Sequence, residues 1–424
     1  MIYKRPCMRI HDLFMFALRI VFTFCVLPVL AQENNRLEPY LQVLKKEGKD
    51  PLKFVIEKLD SFDLLIFDDA WHPVVEPFKF YQSLIKAPEF YSKAKFIFVE
   101  AFPVNKQKYL DNYLKADKED KSLLYPLFQD DFSGLGWPLK TYFDLLEKVY
   151  TINHKLPTDQ RLKVIAVNAP TYWSEILTPQ DLELFRKSLI ANDYTMYRLI
   201  LDELINFNSD SKGIFLTNTR HAYKGIKGEN GKYFWNCGTF FHQWHPGKTY
   251  SIRFHNMALS IQAEKQIDAT MAKTTAGIEK YDFRWIRLGN GIWDAAFREI
   301  GNYPIAFPLK KNVFGKETYV GNHMHKAAPG QTMSDANDAI IFLAPLENLH
   351  NGAIVDFVYT DEFRIELARR YSILFTREQL QNKLNEQGVS TIEELIKKTH
   401  VEEPEELIPQ VKSLPSIDAW KYGK

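Results

Sequence analysis

The sequence predicts an α/β fold: a three-layer domain with a mainly parallel central sheet flanked by helices, plus a helical appendage at the C-terminal end. From Glu38 onward, helical and strand patterns alternate, as they do where crossover helices join the strands of one sheet. Short apolar runs bounded by charge or turn residues read as buried strands, and stretches with apolar residues three and four apart lie between them.

In chain order the strand candidates are Phe62 to Phe67, Lys95 to Val99, Leu162 to Val167, Gly213 to Leu216, Thr249 to Phe254 and Ala339 to Leu343. Pro73 to Ile85 predicts a helix, with proline suited to a first turn. Lys140 to Tyr150 predicts another. Thr178 to Phe207 predicts the longest, opened by Thr178-Pro179 as N-cap and proline, with Asp181 in the first turn. Residues 219 to 247, rich in Gly, Asn, Lys and aromatics, read as a long ordered loop, a type more often functional than structural. Residues 269 to 334 show no period, and the tail from Phe363 is helical, charged and punctuated by Pro404 and Pro415.

Composition is globular: 46% hydrophobic and 25% charged over 424 residues. With 54 basic and 53 acidic residues, the chain has no electrostatic reason to bind nucleic acid or a polybasic-seeking membrane surface. Its 14% aromatics, 31 Phe and 21 Tyr among them, favour a Phe-rich core over an aromatic ligand cleft. Residues 1–31 read as an export signal, with Lys4, Arg5 and Arg9 before an apolar run from Ile20 to Leu30, and Val29-Leu30-Ala31 at the cleavage positions. That run is shorter than the ~20 residues a transmembrane helix needs. The expected location is therefore periplasmic or secreted, without stable membrane insertion once the signal is removed. Residues 38–350 form the expected α/β domain and 360–424 the helical extension. Cys7 and Cys25 fall in the signal, so Cys237 alone remains, which excludes an internal disulfide and a cysteine-based zinc site.

Ligands of open α/β sheets bind at the carboxyl ends of strands. Asp69 and His72 follow the first strand, Glu100 closes the second, and Asn218 and His221 follow the fourth. Each has an ordinary reading: Asp69 as a helix cap, His72 and His221 as loop histidines, Glu100 as a solvated strand end. Their joint placement points to a shared site. His242 and His245, which flank Trp244, and the i, i+2 pair His323 and His325 are read as structural.

On these residues the sequence resembles the erythromycin esterase family, within a superfamily that includes ChaN-like haem-uptake proteins and Tiki-type metalloproteases. Asp68-Asp69-Ala70-Trp71-His72 occupies the place of the family's Gly-Glu-x-x-His, and Glu100 that of its second acid. Asn192-Asp193-Tyr194-Thr195-Met196 is similar to its Arg-Asp-x-x-Met motif, Asn218-Thr219-Arg220-His221 to its His-x-x-His, and Cys237-Gly238-Thr239-Phe240 to its Gly-rich strand region. The likeness runs from about Phe62 to His255. Asp68, Asp69 and Asn218 depart from the pattern, and the arginine expected after His72 is absent, with only Lys79 and Lys86 near.

The resemblance implies an ester or lactone hydrolase without a cofactor. His72 is then the general base, with Asp69 or Glu100 orienting it. His221 and Asn218 are the oxyanion donors. No Gly-x-Ser-x-Gly elbow is present, so water is the expected nucleophile. The partner is a small-molecule substrate, bulky and partly apolar, facing Trp71 and the aromatic stretch 233–244. A metal alternative places Zn or Mn on Asp69, His72, Glu100 and His221. A non-enzymatic ChaN-like alternative places haem on Tyr223, Tyr233 or His245.

Overall fold

The computed structural model describes residues 36–208, 210–263, 281–321 and 326–420. The export segment and the His323/His325 pair lie outside the described residues. The central sheet has seven strands: β1 (Leu64–Asp68), β2 (Ala94–Pro103), β3 (Lys163–Asn168), β4 (Lys212–Thr217), β5 (Thr249–Phe254), β8 (Ile305–Pro308) and β9 (Ala339–Phe342). β6 (Ala258–Ala263) and β7 (Tyr281–Ile286) pair antiparallel as a separate ribbon. In space the sheet runs β3-β2-β4-β1-β5-β9-β8, parallel except for the antiparallel β8–β9 edge. This is the α/β class expected, with helices on both faces and more helices near the C-terminus.

Side chains of a strand alternate between faces, so β1 divides its residues between two cores. Leu65 and Phe67 join Ile97, Val99, Leu216 and Ile252 beneath the helices Val75–Lys86 and Lys140–Asn153. Leu64 and Ile66 join Phe96, Phe98 and Phe215 against Met196, Tyr197 and Ile200 of the helix Asn192–Glu203. β1 is buried along its whole length, which is why it reads as a continuous apolar run.

The continuous helix expected from Thr178 to Phe207 is broken. Thr178 does cap Pro179–Ser188 through a reciprocal bond with Asp181, but a tight turn at Leu189–Ala191 interrupts it before Asn192–Glu203 begins. The Asn192 side chain accepts from the Ala169 N–H and donates to Asn168 Oδ1, both at 2.8 Å, pinning the second helix to the end of β3. The stretch expected as a long loop holds a helix, Cys237–Trp244, where a Gly-rich strand region was expected. Asn236 caps it by accepting from the Thr239 N–H at 2.7 Å. Gly238 permits its close approach to the preceding turn, since a Cβ there would lie 2.5 Å from the Ala222 carbonyl oxygen.

The C-terminal helices are tied into the main core. Phe363, Leu367 and Tyr371 of the helix Asp361–Leu374 belong to the cluster under β1. Arg370, 4% exposed, pairs with Asp130 at 2.5 Å and Glu366 at 2.8 Å and donates to the Gln129 and Gly134 carbonyls. Arg369 donates to the Trp173 and Ile176 carbonyls. Replacing Arg370 with Met leaves buried acceptors without a donor and is expected to cost about 3 kcal/mol, read as a lower urea midpoint at unchanged slope.

Candidate functional site

The site is built at the carboxyl ends of four adjacent strands. Past β1, the Asp69 N–H still donates to the Thr217 carbonyl at 3.0 Å, extending the ladder by one residue. The chain then turns through Ala70 at φ 60°, a left-handed conformation costly for a residue with a Cβ. Buried Asp68 holds that turn: its Oδ1 accepts from the Ala70 N–H and the Thr219 hydroxyl, both at 2.8 Å, tying the loop after β1 to the loop after β4. Its Oδ2 lies 3.8 Å from the buried Arg253 guanidinium. Asp68, a departure from the family pattern, thus has a structural task.

The turn delivers His72 onto Asp69, with Nδ1 2.7 Å from Oδ2. Asp69 therefore braces the ring and is not the helix cap. His72 Nε2 meets Glu100 Oε2 at 3.0 Å. The β2–β4 ladder ends at Val99, so Glu100 is the first β2 residue beyond it, and its Oε2 accepts from the Thr217 hydroxyl at 3.3 Å. The other oxygen, Oε1, is 3.5 Å from His221 Nε2, and His221 Nδ1 is 2.7 Å from Asp193 Oδ1. Asp193 is fixed in turn by the Cys237 N–H at 2.8 Å. The result is one chain of alternating acids and imidazoles, Asp69–His72–Glu100–His221–Asp193.

Asn218 adds a competing contact. Its Oδ1 accepts from the Arg220 N–H at 2.8 Å as the cap of a short turn, which leaves Nδ2 to face His72 Nε2 at 2.7 Å. An amide donor favours the neutral ring, whereas Glu100 favours the charged one. Because that donor is already aimed at His72, Asn218 is not free to serve an oxyanion as expected.

Electrostatics follow from this geometry. For His72, burial disfavours the charge, but Asp69 and Glu100 outweigh it and hold the imidazolium well above the ordinary histidine range. His221 is raised too: burial opposes its charge, and Asp193 and Glu100 support it. Glu100 is depressed to about 2, the two histidines overcoming its burial. Asp69 is pushed up to about 6, burial outweighing its bond to His72.

The chain faces a cavity of about 360 Å³ lined by His72, Glu100, His221, Asp193 and Asn218, with Trp137 and Trp235 among its walls. Trp137 stands edge-on to the His72 ring at 5.7 Å between centroids, and the Tyr142 hydroxyl is 3.3 Å from His72 Nδ1. Of the expected aromatic wall, Trp235 lines this cavity and Trp71 an adjoining one, while Phe240 and Trp244 pack on Tyr194 and Tyr197. The structure brings His72, Asp69, Glu100, His221 and Asn218 together. Sequence reasoning left Asp193 and Tyr142 out of the site, although Asp193 lay within the quoted helix motif. Lys79 pairs with Glu405. Arg220 lines the cavity and is exposed.

Among the described residues, no group of three or more His, Cys, Asp or Glu side chains is set to hold a metal ion. The four metal candidates turn their donor atoms onto one another, so as they stand they do not fit a metal. The haem candidates occupy separate places. Tyr223 is buried at the cavity, Tyr233 packs on Trp235, and His245 Nε2 lies 2.8 Å from the Tyr197 hydroxyl.

No family model matches this chain, and no curated protein does. Solved structures do. A succinoglycan biosynthesis protein is similar at 11% identity and a TM-score of 0.48, over 73% of this chain and 97% of that one. A mutant of the erythromycin esterase EreC in its open conformation is similar at 10% identity and 0.43, over 69% and 92%. ChaN of Campylobacter jejuni with cofacial haem is similar at 12% and 0.29, over 55% and 91%. The chain is thus similar, at low identity, to structures that include an erythromycin esterase and ChaN; no residue role is carried over from them.

Proposed function

We propose that the chain is a hydrolase that opens an ester or lactone bond with water activated by a carboxylate-backed imidazole. The observation that carries this reading is the acid–imidazole chain running through Glu100 along the cavity. The contacts of the two rings favour exchanging the roles expected from the sequence: His72 has a carboxylate at each nitrogen, at 2.7 and 3.0 Å, whereas His221 has one at 2.7 Å and a looser one at 3.5 Å. His72, flanked by two carboxylates, keeps its proton, and its positive charge beside the cavity stabilises a developing oxyanion. His221, its Nδ1–H directed to Asp193, loses its proton first and takes one from water through Nε2.

The sign of the pH dependence follows. The base must be neutral, so the rate rises with pH through a value above the ordinary histidine range, since both rings are raised. The other ring must stay charged, so the rate falls again at still higher pH as the second proton leaves the pair. The two rings share Glu100 and titrate as a coupled system, so the limbs report the pair. A kcat/KM profile over an ester and lactone panel tests the assignment; an optimum below pH 6 contradicts it.

A further inference from the structure

We propose that a second chamber beside His72 is an acyl-binding subsite, which makes the preferred substrate an ester of a neutral aliphatic acid with a more polar alcohol. This rests on the hydrolase reading for the reaction and goes beyond it in assigning the two halves of the substrate.

The chamber measures about 420 Å³ and shares His72, Trp137, Asn218 and Arg220 with the first cavity. Its walls include Trp71, Met257, Leu259 and Trp285. Trp71 and Trp285 meet edge to face at 5.4 Å between centroids, and Leu259 pairs with Trp285 across the β6–β7 ribbon. Arg253 also lines the chamber, but Asp68 lies beside its guanidinium, which also donates to the Val320 carbonyl at 2.9 Å, so that wall presents a compensated charge and no claim on an anion. The first cavity differs in chemistry, with Asp131, Asn168, Asn192 and Asn236 on its walls. Those side chains are bonded to the protein's own groups, so this side is polar without claiming a particular substituent, whereas indole and aliphatic walls reward methylenes. His72 stands at the junction, so a bond lying across it would place its acyl chain on the tryptophan side and its alcohol on the polar side.

The test uses the full chain with p-nitrophenyl esters from acetate to dodecanoate, and decanoate alone as a binding probe followed by calorimetry. kcat/KM is expected to climb by about fourfold per methylene until the chamber is filled. Leu259→Trp, which fills the chamber, is expected to cut the decanoyl-to-acetyl ratio by about tenfold or more and to weaken decanoate binding similarly. Trp285→Ala, which enlarges it, is expected to move the preference toward longer chains. Near-UV circular dichroism verifies the fold of each variant. A rate indifferent to chain length, or decanoate binding that is absent or unmoved by either folded variant, overturns the subsite. Decanoate binding that responds to these substitutions without turnover of any ester overturns the hydrolase reading and leaves the subsite standing.

Discussion

His72→Ala is expected to lower ester turnover by about 100- to 1,000-fold, the range for loss of one preorganised group that stabilises a developing oxyanion. It is also expected to cost stability. His72 is the cation between two buried carboxylates, and removing one member of such a set costs roughly 3 kcal/mol. In the intact protein the pKa of His72 is raised on folding. Its contribution is therefore complete below about 6.5, the unfolded value, and fades as pH climbs through the higher folded value. In the variant, Asp69 and Glu100 lose their counter-ion and bind protons more readily when folded than unfolded, so its stability recovers as pH falls. Thermal melts of both proteins at pH 5 and pH 8 check this. A parent that loses no stability from pH 5 to pH 8, or a variant that is no more stable at pH 5 than at pH 8, argues against the counter-ion role, and unchanged turnover in a folded variant removes His72 from the chemistry.

Glu100→Gln is the second large effect, expected to lower kcat/KM on the order of 100-fold or more. Glu100 is held near 2, so the substitution removes a charge present at every working pH. That carboxylate raises both histidines, and both fall when it is neutralised. The acid limb of the rate profile therefore moves to lower pH while the maximum drops. A glutamine amide can also accept from one ring only while pointing its N–H groups at the other, so the shared contact is lost. Histidine NMR titrations of the variant read the shift directly. Two imidazoles that titrate as they do in the parent would mean that the Glu100 bridge is absent in solution.

Where a physical signal was local, the sequence carried it. β1 and β4 read as strands because both lie inside the sheet, and Asp69, His72, Glu100, Asn218 and His221 were found because strand ends converge at one edge. Asp193 was left out because it reaches His221 from a helix 28 positions upstream, a contact no local pattern encodes. The break at Leu189–Ala191 was missed because its cause is tertiary, the Asn192 side chain bonding at the end of β3. The helix Cys237–Trp244 was masked by Gly238 and Thr239, poor helix formers near its start, although Asn236 was a usable cap. β8 escaped because it is four residues long and ends in Pro308 on the sheet's edge.

The stitch made by Arg370 changes what the end of the chain is for. The loop it grips, Gln129 to Gly134, leads straight into Trp137 and carries Asp131 and Phe132 to the rim of the reaction chamber. A polypeptide ending before Asp361 would accordingly lose this fastening together with the core contacts of Phe363, Leu367 and Tyr371, leaving one jamb of its doorway loose. The last sixty residues thus work as joinery for a recess that they do not themselves furnish with reactive groups.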